Sequence, residues 1–377
     1  MFGLGVNRLG ASRSLLGDAI ANLFSNGEQG VWYDPSDLTT MLQDDTSAAP
    51  AVIGQPVGTI LDKSQGLKLG SELITNGDFA ADSDWVKGTG WSISGGVGVA
   101  NGVTSQNLRQ NGVALEENKV YSVTFTIVSI SQGSVLGRFG GTTTVDSVAF
   151  NAAGTYTFFL KANSTNSSFM LRGQGGFTGT VDNVLVKEVL GNHATQPTST
   201  KRPVLARHPE GGIRNLLNYT EQFDNGAWAK TGVTVTPNTT IAPDGTQTAD
   251  TAVFANTYGS SIIRDYVATL ASTYTFSFYA KASSAIQIGA RVGSANTSFT
   301  LSTEWQRFTL SASVTADANT IVEIRGGVVS GVTAQIWGAQ LEEATEASNY
   351  QKRVTDIDVT ESGVGEVYYL KFDGVSD

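Results

Sequence analysis

The chain has 377 residues, 43 of them glycine, with 24 Lys and Arg against 34 Asp and Glu, a formal net charge of −10. With 40% apolar and only 15% charged residues it is not a disordered chain, and its acidic balance excludes a nucleic-acid partner. It has no cysteine, which excludes disulfides, thiolate metal sites and cysteine nucleophiles, and no apolar run long enough to predict membrane insertion.

Histidine is as restrictive. A Ser–His–Asp triad would have to use His193 or His208, both in Pro/Thr/Arg-rich sequence, and two histidines cannot build a histidine metal cluster. No phosphate loop or dinucleotide fingerprint is present. The chain is expected not to be an enzyme.

Residues 1–27 hold the one helical pattern. Leu15, Leu16, Ile20, Leu23 and Phe24 fall on one side at helical spacing, with Ser12 or Ser14 as cap and Asn26-Gly27 as stop. Arg8, Arg13 and Asp18 interrupt the apolar core that a signal peptide needs. The stripe needs a cover, either its own domain or a larger assembly to which it attaches. Residues 28–66 are dominated by turn signals around Val31-Trp32-Tyr33-Asp34-Pro35-Ser36-Asp37 and Leu61-Asp62-Lys63-Ser64.

From about Glu72 the texture changes to period-two runs bounded by Gly, Asn and Ser. Strands are predicted over 120–127, 155–160, 169–172 and 181–186. Residues 191–214 return to Pro, Thr, Arg and His, and Lys201, Arg202, Arg207 and Arg214 there read as inter-domain contacts. A second strand-rich block follows over 215–350, with strands predicted at 273–279, 306–310, 321–325 and 334–337. Short strands at regular spacing predict β-sandwiches.

The two blocks read as distant repeats. Phe79 with Trp85 corresponds to Phe223 with Trp228, Tyr121 to Tyr274, and Leu171-Arg172-Gly173 to Ile324-Arg325-Gly326. The closing strand at 181–188 corresponds to that at 336–343.

Five tryptophans offer flat faces for sugar rings: Trp85, Trp91, Trp228, Trp305 and Trp337. Core packing is the competing reading, and it suits Trp85 and Trp228, which follow the repeated Phe. Trp91, flanked by Gly90 and Ser92 and without a repeat partner, is the exposed glycan-binding candidate, and Trp305 is the second. Glu116-Glu117 and Glu342-Glu343 are poor acid/base pairs, because neighbours on a strand point to opposite faces; solvated edges are expected.

The block from Asn76-Gly77-Asp78-Phe79 to Val181-Asp182-Asn183-Val184 resembles carbohydrate-binding-module-like jelly rolls. The second block, with Asn215-Leu216-Leu217, Thr220-Glu221-Gln222-Phe223-Asp224, Ala227-Trp228, Ala242-Pro243-Asp244-Gly245 and Trp337-Gly338-Ala339-Gln340-Leu341-Glu342, resembles a version found in tailed-bacteriophage virion proteins. Residues 31–37 and 61–64 also resemble the start of phage structural proteins. In that resemblance Leu61-Asp62-Lys63-Ser64 runs directly into a stretch like Gly191-Asn192-His193-Ala194-Thr195-Gln196, so residues 67–190 are expected to be an inserted module. The segment Val367–Asp377 resembles the opening strand of a laminin-G or concanavalin-like lectin domain.

The expected architecture is all-β, with two tandem jelly rolls and a short N-terminal helix. It comprises an attachment helix at 1–27, a discontinuous base of 28–66 plus 191–214, an inserted jelly roll at 67–190, a second jelly roll at 215–350 and a C-terminal strand at 351–377. The resemblance implies a structural component of a tailed-phage virion, made in the bacterial cytoplasm, as a tail fibre or receptor-facing appendage. Other virion proteins would be its partners, a homo-oligomer such as a trimer its state, and a host-surface glycan its ligand. It also implies a structural Ca²⁺ at Asp78 and Asp182, with no counterpart in the second block, where Gln222 and Trp337 stand. The alternatives are a capsid decoration or head fibre, a bacterial glycan-binding module outside any virion and, remotely, a glycoside hydrolase whose catalytic part lies beyond residue 377.

Overall fold

A computed structural model describes residues 20, 22–44, 49–257 and 259–374. Ile20 and Asn22 are α-helical, and its other regular elements are strands, with two 3₁₀ turns at Leu38–Thr40 and Ser199–Lys201. Leu15, Leu16 and most of the expected N-terminal helix lie outside the described residues. Of that stripe, Ile20 is half-buried, the Phe24 ring lies over Gly30, and Leu23 is 66% exposed. The chain divides into two compact units, Met1–Leu205 with Leu370–Asp377, and Ala206–Tyr369.

In the first unit, Met41–Leu42, Thr59–Ile60 and Ala194–Thr195 form a small antiparallel sheet with Thr59–Ile60 in the middle. Buried Asp62 knits the segments beside it. One carboxylate oxygen accepts the amides of Trp32 and Ser64, at 3.0 and 2.8 Å, and the other that of Asn192 at 3.0 Å. Burial alone would raise this carboxyl, but the three amide donors hold it below its ordinary pKa. The Asp62 amide donates to His193 Nδ1, so the ring proton sits on Nε2 and is donated to the Val189 carbonyl. Lys63 pairs with Asp34 and Asp37 and lies over the Trp32 ring. The conspicuous polar residues of these segments therefore hold the backbone in place, and His193 is engaged structurally.

The first β-sandwich is built around two long strands, Val120–Gly140 and Ser168–Val189, which pair antiparallel and pass from one sheet into the other. One sheet runs Gly154–Lys161, residues 120–127, the second half of Ser168–Val189, Val97–Val103 and Trp91–Ser94. The other runs Val145–Asp146, residues 134–140, residues 168–174, Asn107–Asn111 and Val86–Lys87. Tyr121, Val123, Phe125 and Ile127 alternate inward and meet Val135, Phe139, Phe169 and Leu171 in one core. The sequence reading ended a strand at Ile127 and separated 169–172 from 181–186. The structure corrects both, because Gly173-Gln174-Gly175-Gly176 is a bulged bend and not a loop. Gly133 makes the facing bend at φ +74°, where a Cβ would lie 2.4 Å from the Gln174 carbonyl oxygen and 2.6 Å from the Phe177 nitrogen.

The second unit repeats the design with shorter strands. One sheet runs Ala229–Thr231, Ile262–Thr269, Asp317–Arg325, Ile286–Val292 and Ala295–Leu301. The other runs Val233–Thr240, Ala249–Phe254, Val332–Glu342, Ser272–Lys281 and Gln306–Val314. Taken strand by strand this is the order of the first sandwich, with each long strand cut in two. The anchors repeat as well. Trp85 donates to the Asn76 carbonyl and Trp228 to the Tyr219 carbonyl, at 3.0 and 3.1 Å. Each indole leans on its phenylalanine, Phe79 or Phe223, at 5.2 and 5.1 Å. Tyr121 OH accepts the Glu116 amide and Tyr274 OH the Leu270 amide. These are satisfied core aromatics.

A small sheet in the order Gln351–Thr355, Asp358–Glu361, Val204–Pro209, Glu366–Lys371 completes the architecture. Arg207 pairs with Asp358 and Glu366, and Arg214 with Glu361, so two arginines of the expected base reach the expected C-terminal segment, all within the second unit. Glu342 is also corrected: it is buried, not on a solvated edge, and accepts hydrogen bonds from Gln340 and from the amide and hydroxyl of Ser348.

Two stability predictions follow from named contacts. Gly133→Ala should lower the first sandwich's unfolding free energy by about 2 kcal/mol or more, because positive φ and a backbone clash add. Gly245, also at positive φ (+87°) but with open space around its Cβ position, should cost only about 1 kcal/mol when changed to Ala. Denaturant unfolding of the full chain compares them. Asp250 is fully buried and accepts the amides of Phe223 and Asn238, and burial pushes its carboxyl up to about 6. A folded pKa above the unfolded value of about 3.9 favours folding while the group is protonated. The second unit should therefore lose on the order of 2–3 kcal/mol as pH rises from about 4 past 6. Urea midpoints across that range should show the loss, and Asp250→Asn should flatten it.

Candidate functional site

The second sandwich carries its richest constellation of side chains where its strand register breaks. Ser272–Lys281 and Val332–Glu342 pair regularly except between Ser277 and Tyr279, where the partner strand holds an extra residue. Gly338 takes that bulge at φ +65°, and a Cβ there would lie 3.2 Å from Tyr279 and 3.4 Å from Tyr350. The bulge sets Tyr279 directly opposite Trp337. Their rings are 5.4 Å apart, and Tyr350 closes the cluster 4.7 Å from Trp337; Trp337 is itself buried, 4% exposed, so the half-buried Tyr279 and Tyr350 present the accessible ring surface.

Around these rings lies a groove of about 680 Å³, lined also by Glu221, Pro243, Asp244, Lys352 and Glu361. The Trp337 indole donates to Thr248, and the Tyr350 hydroxyl shares a hydrogen bond with Thr220 and donates to Glu221 at 3.3 Å. Lys352 pairs with the other oxygen of Glu221 at 2.6 Å. Burial raises the Glu221 carboxyl, and Lys352 opposes the rise. Burial, with the Glu221 charge beside it, raises Tyr350 well above the ordinary phenol range. Both Glu221 oxygens are engaged, so it is not poised as a general acid. Glu361 is held by Arg214 and Gln351. Asp244 is exposed, and one of its oxygens accepts from Thr246. The groove thus combines aromatic edges, oriented carboxylates and one ammonium, a set suited to holding hydroxyl groups. A second groove of about 580 Å³ in this unit is lined by Ile213, Leu216, Leu270 and Tyr274 and lacks the cluster of three aromatic rings.

The residues singled out in the sequence fare differently. Trp305 is half-exposed and belongs to the same apolar cluster as Trp337, Tyr279 and Tyr350. Its indole donates to the Ile241 carbonyl at 3.0 Å, and Lys281 lies 5.0 Å over its ring. Trp91 is corrected: it is only 6% exposed, packs on Phe177 at 5.8 Å and donates to the Gln106 carbonyl. It begins the strand Trp91–Ser94, in which Trp91 and Ile93 alternate inward.

Asp78 is exposed and receives the Ala80 amide, while Asp182 receives the Asn183 amide. The depression at Asp78 is lined by Asn183, Val184 and Leu185, and Asp182 does not line it. No group of three or more His, Cys, Asp or Glu able to hold a metal occurs among the described residues. Any ion here would draw most of its oxygens from carbonyls and water.

The groove residues Tyr279, Tyr350, Lys352 and Asp244 were not singled out from the sequence. Trp337 was, as one of five tryptophan faces, and Glu221, like Asp244, stood only in a segment that carries the resemblance. The one available signal was Trp337-Gly338 within a strand pattern, since an isolated glycine there marks a bulge.

No protein-family model matches this chain, and no curated protein does. Among solved structures it is similar to the tandem CBM22 domain of Xyn10C from Paenibacillus barcinonensis, at 11% identity over 74% of this chain and 99% of that one, TM-score 0.28. It is similar to the enzymatically active domain of tailspike protein 4 from bacteriophage CBA120, at 15% identity over 35% of this chain and 22% of that one, TM-score 0.28. It is also similar to the tandem CBM51 modules of a family 98 glycoside hydrolase from Streptococcus pneumoniae, at 10% identity over 78% of this chain and 97% of that one, TM-score 0.24.

Proposed function

We propose that the chain is a saccharide-binding structural component of a tailed-phage particle, a tail fibre or other receptor-facing appendage. The observation that carries the binding part is the groove of the second sandwich, where Tyr279 and Tyr350, backed by the buried Trp337, stand with Glu221, Asp244 and Lys352. The virion part is supported by the sequence resemblance at 31–37, 61–64 and 215–245. Residues 1–27, through Leu15, Leu16, Ile20, Leu23 and Phe24, are the attachment segment in this reading, and homo-oligomerisation occurs through them.

A neutral oligosaccharide array probed with the full chain tests the groove. Asp244→Ala removes an exposed hydroxyl partner without disturbing the rings, and should weaken the strongest neutral ligand about tenfold. Unchanged binding in that variant removes the groove from the account. Cryo-electron microscopy of purified particles tests the location: density on the tail supports the appendage, density on the head makes it a capsid fibre, and its absence from particles leaves a free lectin.

On the sequence resemblance, the same reading assigns Asp78 and Asp182 to a structural Ca²⁺ in the first sandwich. Adding EDTA should then lower the thermal midpoint of the first unit and not of the second, and Asp78→Asn should abolish the difference. A first-unit midpoint indifferent to EDTA rules the ion out.

A further inference from the structure

Both sandwiches carry three arginines at matching register positions on one outer sheet face. In the second, Arg264 and Arg291 flank Glu323 from the two neighbouring strands, and Arg325 lies two residues along from Glu323 on the same face. Their strands turn Ile263, Ala290, Val292, Val322 and Ile324 into the core, so the charged set points away from it. In the first, Arg109 and Arg138 flank Met170 in the same way, and Arg172 lies two residues along. The repeated Leu171-Arg172-Gly173 and Ile324-Arg325-Gly326 mark the shared position.

Each face holds one carboxylate for three guanidinium groups. Glu323, although on the outer face, is fully buried beneath the arginines. Arg264 hydrogen-bonds it and donates to the Tyr266 hydroxyl at 3.0 Å. Arg325 Nε forms an ion pair with the other Glu323 oxygen at 3.0 Å, but neither of these buried atoms makes a hydrogen bond. Arg291 stands 3.8 Å from that oxygen and gives only its Nε, to the Gly293 carbonyl. On the first face Arg138 pairs with Asp146, Arg172 reaches Asn107 at 3.4 Å, and Arg109 Nε is buried without a hydrogen bond. A guanidinium has five donors, so outward-facing N–H groups on both faces lack an acceptor among the described residues. On a chain of net charge −10, these are two local excesses of positive charge.

We propose that each arginine face binds the carboxylate of an acidic saccharide. A planar carboxylate matches the guanidinium fork, as Glu323 already shows within the site. Beside it the second face offers the exposed ring of Tyr266, the side-chain-free Gly289 and, on the next strand, Asn296, which suit a sugar ring. This site is separate from the aromatic groove and does not rest on it.

Calorimetric titration of the full chain with trigalacturonate and sialyllactose tests the proposal, with cellotriose and inorganic sulfate as controls. An acidic saccharide should bind with two equivalents per chain and weaken at least about tenfold between roughly 50 and 500 mM NaCl, while cellotriose does not compete. Arg291→Gln leaves Glu323 two guanidinium partners, so the fold survives; it should reduce the stoichiometry to one, and Arg172→Gln added to it should abolish binding with strand content unchanged. Asp244→Ala should leave acidic binding intact, which separates this outcome from that of the groove. The proposal is overturned if neither acidic saccharide binds, if the double variant binds normally, or if sulfate competes as well as the saccharide, which would make the faces simple anion sites.

Discussion

Strand register is the constraint on which both sandwiches depend. Side chains alternate with a period of two, so a slip of one residue would carry Tyr121, Val123, Phe125 and Ile127 out of the core together. With few charged residues to mark the outer faces, that slip must be opposed by specific contacts. The tyrosine hydroxyls of Tyr121 and Tyr274 catch the chain just before the strand each begins, and the indoles of Trp85 and Trp228 catch a carbonyl nine residues earlier. Each contact joins a core ring to one particular backbone group, so it holds in only one register. Their recurrence in both units explains how one strand order persists in two blocks of different sequence.

Register is also broken deliberately, and each break has a geometric result. In the first sandwich the shifts between Gln174 and Thr178 let a single strand turn the corner from one sheet to the other, opposite Gly133. In the second the break at Gly338 aims Tyr279 and Trp337 toward the same groove. One device closes a core in one module and opens a site in the other. The difference lies in what surrounds it, since the second bulge faces Tyr350 and Lys352, contributed by the chain that follows the sandwich.

Much of the fold was legible because alternation and turn residues are local signals. The strands at 120–127 and 273–279, the core tryptophans and the paired blocks all follow from them. Trp91 was misread for a reason visible in the same signal. Its glycine and serine neighbours suggest a turn, but Trp91-Ser92-Ile93-Ser94 alternates, and alternation is the stronger guide to burial. Gly173–Gly176 was misread in the opposite direction, because glycine marks a bulge as readily as a loop. The groove was not legible, because Glu221, Asp244, Tyr279, Trp337 and Tyr350 lie on five separate segments and no spacing announces their convergence. Glu342 failed differently: adjacent strand residues do face opposite ways, but which face is covered depends on Ser348 folding back over it.

The arginine rows show that register fixes the outer-face side chains as well as the core. A buried carboxylate is costly unless paired, and Arg264 with Arg325 already neutralises Glu323. Arg291 brings a third guanidinium to 3.8 Å from the same carboxylate while its Nε donates to the Gly293 carbonyl, so one acid is shared among three cations. The first face sharpens the point. Met170 occupies the place of Glu323, so the central carboxylate is gone while the arginines on both flanks remain. Three cations kept at three register positions, around a carboxylate in one module and a thioether in the other, have the spacing itself in common. What a fixed spacing of planar donors on an open sheet can serve is a planar acceptor brought from outside.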